Sequence, residues 1–148
     1  MDSLHVRSVD LQSSDASHHF VKSLQQTGFA VLHEHPIDMN LVNEVYSMWS
    51  NFFISTQKHN YLFHNVKQDG YFPFKSENAK GSDEKDLKEF FHIYPWGRCP
   101  ELLETKTRKL YSQLVDLACQ LLKWIEKEVP IEISSNFSIP LEKMIEDS

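Results

Sequence analysis

The chain has 148 residues, a length that fits one domain or a fragment of a larger one. Hydrophobic residues make up 41% and charged residues 24%, which argues against wholesale disorder. The formal charge is −6, from 15 basic and 21 acidic residues, and this sign disfavours a general binder of nucleic-acid phosphates.

The composition also indicates the cellular compartment of the protein. No apolar stretch approaches the ~20 residues that a membrane span needs, and no secretory signal is visible at the start. The two cysteines, Cys99 and Cys119, form no CxxC pair, and reduced thiols are typical of the cytosol. We therefore expect a cytoplasmic protein without a membrane segment.

The first 32 residues predict a strand, a helix and a second strand. Residues 6–11 alternate in the manner of a short strand, and Ser13 to Asp15 supply helix-capping oxygens. Gly28 ends the helix, because glycine readily adopts a positive φ. The apolar run at residues 29–32 predicts a buried strand, so this region resembles a mixed α/β layer.

A second helix and a long aromatic segment follow. A turn at residues 35–38 precedes a helix over residues 39–54, which has a broad apolar stripe. Residues 60–85 are rich in aromatic and polar side chains, with a turn signal at Asp69-Gly70 and a hydrophilic loop at residues 76–85. Such a segment favours either a functional loop or an edge that packs its own rings.

The last elements are a strand and the longest helix. Residues 88–96 have the aromatic and β-branched pattern of a strand. Pro100 then opens a helix that should end near Glu128, since Pro130 bars continuation. We expect residues 129–148 to be a linker with one further turn at residues 140–145. The apolar stripe of the long helix is expected to be core or interface.

The only tight cluster of metal-ligand residue types is His33-Glu34-His35. On a strand, the two imidazoles would point to the same side, but a third ligand would have to come from far away, such as His64 or His92. A solvated turn is the plainer interpretation. The sequence contains no Gly-rich phosphate loop, no GxSxG and no HExxH, so no complete active site can be assembled from chemistry alone.

Six motifs in the right order resemble the N-terminal region of the isopenicillin N synthase-like iron(II)/2-oxoglutarate-dependent dioxygenases. The matching segments cover nearly the whole chain: residues 20–32, the His35-Pro36-Ile37-Asp38 turn, the helix with Phe52-Phe53 and a downstream Lys58, the Gly70-Tyr71-Phe72-Pro73 segment, the strand Asp86-Leu87-Lys88-Glu89-Phe90-Phe91-His92, and the long helix from Glu101.

The resemblance implies an α+β fold class. Residues 1–128 would form a mainly helical N-terminal layer with a few short strands, of the kind that packs on a double-stranded β-helix, or jelly roll. Residues 129–148 would be the linker toward that barrel. The family binds iron through a His-x-Asp pair and a distant His, and 2-oxoglutarate through an Arg and a Ser, all beyond the matched region.

No histidine follows His92, so the resemblance implies no catalytic residue and no metal ligand in this chain. Fe(II) and 2-oxoglutarate are expected in the full-length family, with neither bound to this chain. By analogy with the family, the candidate substrate-pocket residues are Tyr71, Phe72 and Phe74.

Three functional hypotheses follow. The first is the N-terminal portion of an oxygenase that hydroxylates, desaturates or cyclises a small organic substrate and is inactive as this chain alone. Its expected partner is the missing C-terminal barrel. The second is a truncated relative that acts as a non-catalytic binding or dimerisation module, self-associating through the long helix. The third is a metal-binding protein that uses His33, His35 and a remote ligand.

Overall fold

A computed structural model describes residues 5–145 of the chain. The chain folds into two compact units. The first unit contains the residues up to Asp38 and those from Tyr111 onward, and the second contains Met39–Leu110. Described residues are mainly helical with a few short strands, which confirms the α+β class. None of the helices in this part of the chain combines the length and apolar content that crossing a bilayer demands.

The first unit places a helix against a small parallel sheet. Strand β1 (Ser8–Asp10) pairs with β2 (Val31–His33), with Ser8 opposite Val31 and Asp10 opposite His33. Helix α1 (Ala16–Thr27) connects the two strands. The core of this unit is apolar and includes contacts to the last turns of the long helix: Val9, Ala16, Phe20 and Val21, with Leu121, Trp124 and Ile125 packed against them.

The ends of α1 confirm one sequence prediction and overturn another. Gly28 has a φ of 78° and its N–H donates to the Leu24 carbonyl at 2.8 Å, as expected of a C-terminal cap. At the other end, Asp15 makes no side-chain cap. Its carboxylate instead accepts a hydrogen bond from the Ser13 hydroxyl.

The strand predicted after Gly28 is present, but its predicted start at residue 29 and its predicted burial are wrong. The strand begins two residues later, and the side chains of Phe29 and Val31 are exposed. Ala30 and Leu32 do pack against the core. Successive side chains of a strand point to opposite faces of its sheet. Because the core of this unit packs on only one face, every second side chain of the apolar run is exposed to solvent.

The second unit is built on aromatic side chains. Helix α2 (Met39–Ile54) has the predicted bounds and is followed by a 3₁₀ turn at Thr56–Tyr61. Strand β3 (Gly70–Phe72) pairs antiparallel with β4 (Phe90–His92). The rings that meet between α2, the 3₁₀ turn and β4 are those of Trp49, Phe52, Phe53, Tyr61 and Phe91.

The long helix α3 (Glu101–Glu128) also has the predicted bounds and begins directly after Pro100. In the second unit its residues Leu103 and Leu110 are buried, and Trp49 of α2 donates its indole N–H to the Thr107 hydroxyl at 2.9 Å. Leu102 and Leu114 are exposed. Self-association through this helix stays a prediction.

The chain after α3 is not wholly irregular. A short helix α4 (Ile131–Ser134), which is not among the predicted elements, precedes the expected turn, a 3₁₀ helix at Leu141–Ile145. The Leu141 N–H donates to the Glu126 carboxylate at 2.9 Å, which ties this turn to α3 within the first unit. The assignment of residues 129–148 as a linker stays a prediction.

Candidate functional site

The hairpin of β3 and β4 has two faces of different character. Tyr71 lies opposite Phe91, and Phe72 lies opposite Phe90. Because side chains alternate across a strand, Tyr71, Glu89 and Phe91 share the inner face, whereas Phe72, Phe90 and His92 share the outer face.

On the inner face, Glu89 accepts hydrogen bonds from two distant side chains. The Tyr71 hydroxyl donates to Oε2 of Glu89, and the ammonium group of Lys58 donates to the same oxygen at 2.8 Å. Lys58 also donates to the Phe53 carbonyl at 2.6 Å, at the end of α2. We call Lys58, Tyr71 and Glu89 the Glu89 cluster; it joins the end of α2 to both strands.

The cluster shifts the titration of all three groups. The hydrogen bond from Lys58, and then that from Tyr71, lowers the pKa of Glu89. The same bond to Glu89 raises the pKa of Lys58. Burial, followed by the bond to Glu89, raises the pKa of Tyr71. At neutral pH the cluster therefore consists of a carboxylate, an ammonium group and a neutral phenol.

A second polar contact fixes the entry to β3. The Asp69 side chain is fully buried. The Arg98 guanidinium donates two hydrogen bonds to its Oδ1, one from Nη2 at 2.8 Å and one from Nε at 3.0 Å. Arg98 also donates to the Leu62 carbonyl at 2.8 Å. Burial alone would raise the pKa of Asp69, but the hydrogen bonds from Arg98 outweigh burial and lower it.

Gly70 is required between these two contacts. Its φ is 112°, and a Cβ built there would lie 2.5 Å from the Tyr61 carbonyl oxygen and 2.9 Å from that of Leu62. A side chain would collide with backbone atoms that cannot move aside, so only glycine brings β3 this close to the 3₁₀ turn.

The outer face is a row of rings. Phe72 stacks on Phe90 with ring centroids 4.4 Å apart, and it also contacts Phe63 at 4.4 Å and His92 at 4.7 Å. The imidazole of His92 makes ring contacts, and no hydrogen bond joins it to another group within residues 5–145. This face is therefore apolar apart from one imidazole.

The three predicted pocket residues occupy different environments. Tyr71 is 1% exposed and points into the Glu89 cluster. Phe72 is buried among the rings of the outer face, and Phe74 is 55% exposed with the Lys75 ammonium 5.6 Å from its ring centre. Tyr71 and Phe72 lie on β3 and Phe74 follows it, but the three side chains do not line one cavity. Their role toward a substrate stays a prediction.

The second unit also contains cavities. One of about 280 Å³ lies beside the Glu89 cluster and is lined by Trp49, Phe53, Glu89, Phe90, Phe91 and Ile93. A larger one of about 490 Å³ lies between the end of α2 and the start of α3, and no predicted pocket residue lines it.

The histidines that were candidate metal ligands do not form a common site in the described part of the chain. His33 is exposed at the end of β2, and His35 lies in the following turn with its Nδ1 buried and unpaired among the described residues. The Nδ1 atom of His64 accepts hydrogen bonds from the backbone N–H groups of Val66 and Lys67. Between residues 5 and 145, no group of three or more His, Cys, Asp or Glu side chains is arranged to hold an ion.

The sequence does not predict the Asp69–Arg98 contact. Asp69-Gly70 is a turn signal, and no sequence pattern indicates that a residue 29 positions later pairs with Asp69. Lys58, Tyr71 and Glu89 belong to separate sequence motifs, and those motifs do not predict that Lys58 and Tyr71 donate to the same Glu89 oxygen.

Comparisons with known proteins support one family. The family described as non-haem dioxygenase in morphine synthesis, N-terminal, matches residues 4–114. The chain is also similar to the crystal structure of a "Putative oxygenase" from Shewanella oneidensis, with 41% sequence identity and a TM-score of 0.86. That match covers 97% of this chain and 50% of the other, so the chain spans about half the length of that protein. No curated protein gave a significant match.

Proposed function

Because this chain belongs to the non-haem dioxygenase N-terminal family, we propose that it is the N-terminal portion of an oxygenase dependent on iron(II) and 2-oxoglutarate. The observation that carries the proposal is the match to a protein described as an oxygenase, in which this chain accounts for only half of the length. The substrate would be a small organic molecule that is hydroxylated, desaturated or cyclised in the cytoplasm.

The described residues do not fit an iron site, since no three ligand-type side chains converge among them. The proposal therefore assigns Fe(II) and 2-oxoglutarate to the other half of a full-length enzyme, of the isopenicillin N synthase-like group. This chain alone would be inactive, and its role would be to shape the substrate pocket.

The β3–β4 hairpin is the element that we assign to that pocket, with Tyr71, Phe72 and Phe74 as its candidate residues. The Glu89 cluster holds the hairpin from its inner side and the Asp69–Arg98 pair fixes its start, which leaves the half-buried rings of Phe90 and His92 on the outer face to contact a ligand. Tyr71 would act by positioning the strand, because its hydroxyl is already bound to Glu89.

The test is a chimera of this chain fused to the half of the Shewanella oneidensis protein that lies outside the match. We expect the chimera, supplied with Fe(II), O₂ and ascorbate as reductant, to convert 2-oxoglutarate to succinate and CO₂, and the isolated chain to produce no succinate. The control is the same chimera with a chelator in place of Fe(II). A folded chimera without turnover would contradict the proposal and would favour the non-catalytic binding module.

A further inference from the structure

The cavity of about 490 Å³ at the end of α2 has the composition of a small-molecule site. All of its lining residues belong to the second unit. Its apolar wall includes the buried side chains of Phe52 and Leu103, together with Met48 and the ring of Tyr61. A concave site of this size, with a mostly apolar wall and a few polar groups, is typical of cavities that bind small organic ligands.

The polar groups of this cavity favour a ligand that donates hydrogen bonds. The Ser55 hydroxyl already donates to the Phe52 carbonyl at 2.9 Å, so its oxygen can only accept from a ligand. Glu101 adds a carboxylate, which is also an acceptor. The side-chain amides of Asn51 and Gln57 are exposed and can turn either an oxygen or an N–H group toward a ligand.

The charge at the cavity is negative. Among the described residues that line it, Glu101 carries the one charged side chain. The salt bridges within residues 5–145 all involve other carboxylates. The start of a helix by itself favours anions, but Pro100, which precedes α3, has no N–H to offer. The rings of Phe52 and Tyr61, with centroids 6.0 Å apart, provide aromatic surface that attracts cations.

We propose that this cavity binds a protonated organic amine with a small apolar body. The ammonium group pairs with the Glu101 carboxylate, and the body packs on the apolar wall beside Phe52 and Leu103. Ser55, Asn51 and Gln57 accept further N–H or O–H groups of the ligand. Carboxylate ligands are disfavoured by the charge of Glu101. The inference uses only residues of the second unit and does not depend on the proposed function.

The experiment compares three probes that share a phenyl ring and differ in charge: 2-phenylethylamine, 2-phenylethanol and 3-phenylpropanoate. Each is titrated into the full chain at pH 7.5, well above the isoelectric point near 5.7, and ¹H–¹⁵N spectra identify the residues that respond. We expect the amine to bind with a Kd of about 1 mM, with shifts centred on the lining residues. It should bind about threefold to fivefold more tightly than the alcohol, the size of an exposed ion pair, and the propanoate should bind most weakly.

Three variants separate charge from apolar contact. Glu101→Gln should bind the amine and the alcohol equally, with the affinity for the alcohol unchanged. Glu44→Gln, which removes an exposed carboxylate that pairs with Lys106, is the matched control and should leave both affinities unchanged. Leu102 lines the cavity and is 83% exposed, so Leu102→Ala should fold normally and weaken both ligands by the same factor, about twofold.

Equal affinities of the amine and the alcohol for the parent chain, or tightest binding of the propanoate, would overturn the assignment of an amine. A loss of amine affinity in Glu44→Gln as large as that in Glu101→Gln would overturn the site, because the amine would then be attracted to the acidic chain as a whole. Shifts centred on residues outside the cavity would overturn it as well.

Discussion

Glu89 and Asp69 determine the position of the β3–β4 hairpin through contacts that are distant in sequence. Glu89 receives hydrogen bonds from Lys58 and Tyr71, 31 and 18 positions away, and Asp69 receives those of Arg98. The residue types in each motif could be recognised from the sequence. The pairing of these residues could not be recognised, because it depends on the tertiary positions of the 3₁₀ turn, which contains Lys58, and of the segment after β4, which contains Arg98.

Removing the Asp69 carboxylate should be costly. Asp69→Ala leaves the Arg98 guanidinium without its buried partner, and we expect a loss of about 3 kcal/mol in the free energy of unfolding. This is the low end for a broken buried pair, since the Arg98 side chain is 31% exposed. Urea unfolding followed by tryptophan fluorescence measures the loss. Glu44→Ala, which removes an exposed pair with Lys106, is the control and should cost less than about 1 kcal/mol.

The same carboxylates predict a loss of stability in acid. The folded pKa values of Asp69 and Glu89 lie below their ordinary values. Their contribution is therefore fully present above the unfolded pKa, near pH 4, and is lost as pH falls through the folded values. Unfolding free energies measured at decreasing pH should fall less steeply in Asp69→Asn than in the parent chain. An unchanged slope would show that Asp69 titrates normally in the folded chain.

At the scale of the element, Gly70 decides whether β3 can approach the 3₁₀ turn. Gly70→Ala combines a positive φ with overlap against two backbone oxygens, whereas Gly28→Ala has a positive φ and open space around it. We expect Gly28→Ala to cost about 1–2 kcal/mol from strain alone, and Gly70→Ala to cost clearly more. Thermal unfolding of both variants tests this expectation. Equal losses would mean that β3 shifts to accommodate the new side chain.

The helices were more predictable than the strands, for physical reasons. The bounds of α2 and α3 follow from local signals: an apolar stripe of helical period, Pro100 before the first turn of α3 and Pro130 after the last. The run at residues 29–32 is equally apolar, but its burial depends on what covers each face of the sheet. That information is tertiary, so the sequence pattern could not show that Phe29 and Val31 remain exposed.

For the whole molecule, exposed apolar side chains and charge together predict poor solubility in weak acid. The net charge is −6 at neutral pH and falls to zero at the isoelectric point near 5.7. We expect the isolated chain to be marginally stable, to self-associate and to precipitate near that pH. Light scattering between pH 8 and 5 measures this. A monodisperse monomer throughout, with a sharp thermal transition, would be the contrary result.

We propose that this chain forms one layer of an oxygenase whose metal belongs to the other half. Anaerobic titration with Fe(II) in the presence of 2-oxoglutarate tests it most directly, carried out in parallel on the isolated chain and on the chimera. We expect one equivalent of iron to bind to the chimera and none to the isolated chain. One equivalent bound by the isolated chain, or none by a folded chimera, would contradict it.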